Sequence, residues 1–182
     1  MEKCNAFNEM MVHLPLCTHQ EASNVLILGA VDENLKKETL KHTKVSNIEF
    51  GDLTLIDSKK DKEIDVIILT DVKLDLKVLA NISRVLKSDA LITFTSESYS
   101  SNKEKLISDL KLAGEKFWIV MPFKFGKHTS IIASKKYHPT ADLNLQRADL
   151  LDDLEYYSAE IHSASFVYPA QQHKELTGIA KR

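Results

Sequence analysis

Cysteine is scarce in this chain: Cys4 and Cys17 are the only two among 182 residues. A disulfide framework needs more, so a reducing compartment is expected. No apolar run reaches the length that crosses a bilayer, and the opening residues lack the basic, apolar and small-residue sections of a secretion leader. The expectation is a cytoplasmic protein with no membrane partner. Charge of one sign is missing as well. Lys and Arg total 24 against 26 Asp and Glu, a net charge of -2, which leaves no basic footprint for nucleic acid. The lysines of "LKKETLKHTK" read as a solvated helix face. Cys17, His19 and His42 do not have zinc spacing, so no metal site is expected. Repeats, low-complexity segments and obvious linkers are absent too, and 182 residues most simply make one domain with one substantial core.

What is present is an alternation of short apolar runs with amphipathic stretches. Asn24–Ala30, "NVLILGA", and Ile64–Thr70, "IDVIILT", are continuous apolar runs of the kind buried on both faces of a parallel sheet. Ile48–Gly51 and Ala90–Thr95 are further strands. Glu33–His42 reads as a short helix. Val78, Leu79, Ile82, Val85 and Leu86 share one helix face, and Leu106, Ile107, Leu110 and Ala113 mark another helix, stopped at Gly114. "KFWIVMP" and "HTSIIAS", joined around Gly126, are closing strands that pair antiparallel, and a last helix is expected around Gln146–Leu154. The polar "SKKDKE" is a loop. The pattern predicts a three-layer α/β sheet, mostly parallel with antiparallel closing strands. In such sheets ligands bind beyond the carboxyl ends of the strands, which places Gly29–Asn34, Gly51–Leu53 and Thr70–Asp75 along one functional edge.

Two longer stretches carry more than periodicity. "FNEMMVHLPLCTH", followed after a short spacer by "NVLILGAVDEN", resembles the opening of the catalytic domain of the spermidine synthase (polyamine aminopropyltransferase) family, and "YYSAEIHSASFVYP" near the other end is similar to that family's closing motif. The resemblance implies a methyltransferase-like, Rossmann-like fold over residues 1–182 as a single catalytic domain, with the family's N-terminal β-domain absent. It implies transfer of an aminopropyl group from decarboxylated S-adenosylmethionine, a co-substrate, to putrescine, giving spermidine and methylthioadenosine. No cofactor is implied beyond that co-substrate. The partner would be a small polyamine, and the chain would work alone or as a homodimer.

That chemistry needs a base beside the attacking amine, carboxylates for the far ammonium, and a close-approach glycine turn for the nucleoside. In the turn after the first strand, Gly29 and Asp32 match the family, whereas Ala30, Val31, Glu33 and Asn34 replace its other residues. Asn8 stands where relatives carry a substrate-contacting side chain, and Asp52 resembles the aspartate of an adenine-contacting Asp-Gly pair whose glycine is here Leu53. Gly29, Asn8, Asp32 and Asp52 are therefore the candidate substrate-binding residues. Asp32 reads equally as a helix N-cap, and Asp52 as a turn aspartate. Between Lys44 and Asp65 there is too little chain for the family's ribose acid. Thr70 falls at the position of the family's catalytic base and Lys73 at its second acid; Asp71, one residue later, is the candidate base. These departures support a second hypothesis, a catalytically inactive relative that acts as a binding or structural partner. A third, another methyltransferase-like enzyme, rests on fold analogy alone.

Overall fold

A computed structural model describes residues 5–182. Six strands, β1 (Asn24–Gly29), β2 (Asn47–Gly51), β3 (Ile64–Thr70), β4 (Leu86–Ser96), β5 (Ile119–Phe125) and β6 (His128–Ser134), form one sheet in the order β2-β1-β3-β4-β6-β5. The first four run parallel, and β6 pairs antiparallel with both β4 and β5. The observed class is the expected one. All seven residues of β3 are buried, as its β-branched run requires in a strand covered on both faces.

The pleat sorts side chains into two cores. Leu26, Leu28, Ile67, Leu69, Ile92 and Phe94 point to one face, under α3 (Leu76–Val85) and α4 (Lys103–Gly114). Val25, Ile27, Val66, Ile68 and Leu91 point to the other, under α1 (Ala6–Thr18), with Leu35 of α2 (Glu33–Leu40) and Ala148 of α5 (Leu145–Asp149) joining them. This is the period-two division that makes a sheet the middle of three layers. Of the thirteen residues of α1, all but Phe7 are buried, because the sheet and α2 cover one side and the closing segment the other. Helix starts are set by side-chain caps: Asp32 accepts from Leu35 N at 2.7 Å, Asp75 from Val78 N at 2.8 Å and Asn102 from Lys105 N at 3.0 Å.

Several boundaries differ from the sequence reading. Leu86, placed on the α3 stripe, begins β4, which starts earlier than Ala90. The segment after β2 forms a 3₁₀ turn, Leu53–Ser58, and only its end is plain loop. The tail helix stops at Asp149, because Glu155, Tyr156 and Tyr157 give their backbone N–H groups to α1 rather than to a helix of their own. Two short helices, α6 (Ala159–Ala164) and α7 (Ala170–Leu176), follow. Cys17 is buried with a free thiol whose pKa burial pushes up to about 11; Cys4 lies outside the described residues. Among the described residues no helix is long and apolar enough to cross a membrane.

Candidate active site

The strand order reverses direction at β1. The chain steps from β1 outward to β2 and then returns to β3 on the other side, so the crevice available to a ligand lies at the carboxyl ends of β1 and β3. Here the two strand ends are laced together. Ala30 N donates to Thr70 O at 2.9 Å, and the Thr70 hydroxyl donates back to Ala30 O at 2.7 Å. Gly29, at φ +108, sits so close that a Cβ would meet Thr70 O at 2.0 Å and Val72 Cγ2 at 2.7 Å. The turn needs glycine for its backbone angle and for this close approach. What approaches it is the neighbouring strand.

The other candidates fall in separate places. Asn8 and Asp32 meet: both line a cavity of about 600 Å³ together with Phe7, Asn34, His128 and Tyr156. Asp32 caps α2, and its Oδ1 also lies 3.4 Å from Asn8 Nδ2. Asp52 is exposed and caps the 3₁₀ turn; hydrogen bonds from the Thr54 hydroxyl and backbone N–H hold its carboxyl below the usual range. Asp71 is exposed in a left-handed conformation at φ 55. It lines a different cavity, of about 360 Å³, beside Lys73, Glu97 and the paired Lys105 and Asp109. Asp32 and Asp71 thus face different hollows. A third hollow, of about 330 Å³, runs along Thr95–Ser98 and shares Phe7, Lys127 and His128 with the Asn8–Asp32 cavity. His128 opens β6; its ring lies edge-on to Phe7 at 5.4 Å and stacked on Phe125 at 5.6 Å.

The strongest polar structure escaped the sequence reading. Glu9, fully buried, accepts from the backbone N–H groups of Glu155 at 2.9 Å, Tyr156 at 2.9 Å and Tyr157 at 2.8 Å. It pins the closing motif onto the opening one. The signal for it was a lone carboxylate inside an apolar helix, which is costly unless partnered. His13 Nε2 meets Glu38 at 3.1 Å and its Nδ1 meets His42 Nε2 at 2.9 Å, so with His13 neutral and donating to the carboxylate, His42 donates to His13. Burial favours the neutral carboxyl of Glu38, but hydrogen bonds from His13 and Lys41 override it and hold the pKa at about 2. Burial holds His42 at about 3, helped by the neighbouring His13. At the opposite end of the sheet, His19, Asp65 and Asp89 cluster closely enough to suggest ligands. Lys87 Nζ already sits 2.8 Å from Asp65, and Ser23 N and Asn24 N fill the same carboxylate.

The sequence model of the spermine/spermidine synthase domain matches residues 4–61. A polyamine aminopropyltransferase of Helicobacter acinonychis is 26% identical, over 96% of this chain and 76% of its own length. One from Bacillus cytotoxicus is 28% identical, over 90% of this chain and 75% of its own. The crystal structure of spermidine synthase from Thermotoga maritima superposes with a TM-score of 0.82 at 22% identity, covering 94% of this chain and 74% of that one. A methyltransferase from Aquifex aeolicus, described as dependent on S-adenosylmethionine, gives 0.53 over 70% of the chain. The domain match begins with the helix whose Glu9 anchors the tail and runs through the Asp32 turn to the turn capped by Asp52. With the relatives that extend over the rest of the sheet, it makes this chain similar to the spermidine synthase (polyamine aminopropyltransferase) family along most of its length.

Proposed function

We propose that the chain acts in polyamine biosynthesis, as one methyltransferase-like unit that moves an aminopropyl group from decarboxylated S-adenosylmethionine to putrescine and releases spermidine and methylthioadenosine. The observation that carries this reading is the convergence of Asn8 and Asp32 in a cavity walled by Phe7 and Tyr156 at the carboxyl edge of the sheet. An exposed carboxylate faces an ammonium well, and aromatic rings suit both the methylene stem and the cation. The electrophilic carbon beside the sulfonium needs only an unprotonated amine held in line with it, so positioning supplies much of the rate. Gly29 and Asp52 would serve the nucleoside, and Asp71 the amine, only after rearrangement. Ala30 N is engaged by Thr70 O, and Asp52 by its own turn.

The test is incubation of the protein with decarboxylated S-adenosylmethionine and putrescine, with spermidine and methylthioadenosine as the expected products. Absence of both, together with no thermal shift from methylthioadenosine, overturns the reading. A specific observation favours a second one. The Thr70 hydroxyl is spent on Ala30 O, and Val72 packs where a nucleoside would come close to Gly29. A relative that keeps the amine cavity while its nucleoside side is closed would be a polyamine-binding partner of another protein. Its mark is putrescine binding without product.

A further inference from the structure

We propose that His128, which nothing in the opening or closing motifs singles out, is the group that takes the proton from the amine bound beside Asn8 and Asp32. The inference rests on the reading of that cavity as an amine site. The position that resemblance assigns to a base holds Thr70, whose hydroxyl is committed to Ala30 O at 2.7 Å. Asp71 lines the cavity beyond Thr95–Glu97, not the one that holds Asn8 and Asp32. Of the side chains lining the Asn8–Asp32 cavity, Asp32 caps the start of α2 through Oδ1 at 2.7 Å and is the carboxylate that holds the ammonium, and Tyr156 receives a hydrogen bond from Gly126 N at 3.2 Å. His128 remains. It stands where that cavity and the hollow along Thr95–Ser98 adjoin, so a linear amine running from Asp32 toward Glu97 passes its ring. Phe7 and Phe125 fix the plane of the imidazole without using its nitrogens.

The charged and titratable groups facing it are Lys127 on the hairpin, Asp32 before α2, Glu97 after β4 and Tyr156 in the closing segment. Partial burial, and then the neighbouring Lys127, lower the pKa of His128 from its ordinary value of 6.5, which leaves the ring neutral and able to accept a proton at neutral pH. An imidazole is also the stronger base: ordinary carboxylates titrate near 4 and histidine near 6.5, so the proton of an ammonium moves less steeply uphill onto His128 than onto an aspartate. In the step, one N–H bond of the ammonium breaks and the proton goes to the imidazole, giving imidazolium and a free amine. The nitrogen lone pair then forms the new C–N bond as the C–S bond breaks, its electron pair leaving on sulfur as the neutral thioether. The product nitrogen carries the positive charge the sulfonium lost.

The experiment uses the full chain with His128→Gln and His128→Phe, the second keeping ring packing against Phe7, and reads two quantities. The first is transfer rate against pH. The wild type should reach a plateau below about pH 7, whereas both variants should lose about 10²–10⁴-fold at neutral pH and climb steadily with pH, with partial rescue by added imidazole. The second is putrescine affinity by calorimetry between about pH 5 and 7, read independently of turnover. Wild-type affinity should fall as His128 becomes cationic, and neither variant should show that limb. Transfer that is unchanged in both variants overturns the proposal. So does putrescine binding with the same pH dependence in wild type and variants, or no binding at all. A protein that makes no product yet shows the His128-dependent binding limb keeps the contact between His128 and the amine, and refutes only the transfer reading.

Discussion

Beneath α1, acids are buried and fully partnered: Glu9 by backbone N–H groups of the closing segment, Glu38 by His13, Lys41 and Asn5. On the rim a few residues away, Asp32, Asp52 and Asp71 are exposed; Asp52 is engaged by the turn it caps, and Asp32 by its own turn and by a long contact from Asn8 Nδ2. Water can replace a lost partner on the rim and cannot beneath α1. The contrast teaches that most of what resembles the family in the opening motif serves the fold in this chain. The rim, where water offsets a change, is where the sequence departs from the family at Ala30, Leu53, Thr70 and Lys73.

The sharpest way to break this contrast is Glu9→Ala. It would strand three N–H groups, that of Tyr157 buried and those of Glu155 and Tyr156 partly so, and should cost about 3–5 kcal/mol, with the segment from Glu155 onward cleaved early by protease. A loss below about 1 kcal/mol in urea denaturation would show that Glu9 is no anchor. Next is Gly29→Ala. The backbone strain of its positive φ is worth about 1–3 kcal/mol, and the overlap with the Thr70 carbonyl adds to it. If Gly29→Ala melts like the wild type, the lacing of β1 to β3 is not tight.

Thr70→Val should cost about 1–2 kcal/mol by leaving Ala30 O without its hydroxyl partner. The same variant asks whether opening this contact raises affinity for methylthioadenosine. Acid should act beneath α1 before it acts on the rim. Burial lowers His42 to about 3 and His162 to about 4, whereas in the unfolded chain both titrate near 6.5. The unfolded state therefore takes up protons first, and stability is lost as pH falls below about 6.5 toward those values. Glu38, at about 2 when folded against 4.5 unfolded, adds a loss in the same direction below about pH 4.5. Thermal melts from pH 7 to 4 should fall throughout, and His42→Gln should flatten the slope. The smallest effect is expected from Asp52→Ala, which removes one exposed cap; a drop as large as that of Glu9→Ala would erase the contrast.

The alternation of strand and helix, the antiparallel hairpin about Gly126 and the capping role of Asp32 were all legible, because each depends on residues within a turn or a pleat of one another. Leu86 was misplaced because a helix stripe and the first residue of a strand look alike over one residue, and β3 pairing with Leu86 decided the matter. The short α7 carries too few residues for periodicity to register.

By itself, then, the order of apolar and polar residues determined the class of fold, since burying a sheet on both faces leaves few arrangements for such a pattern. It also carried the resemblance to the spermidine synthase family, through two motifs at opposite ends of the chain. Only the tertiary structure decided what the polar groups of those motifs do. Glu9 finds its partners 146 to 148 residues away, Thr70 finds Ala30 at a distance of 40, and Phe7, Asp32 and His128 meet around one cavity. Hydrogen bonding and burial act through space, and no local spacing encodes which distant carbonyl or amide a side chain will reach.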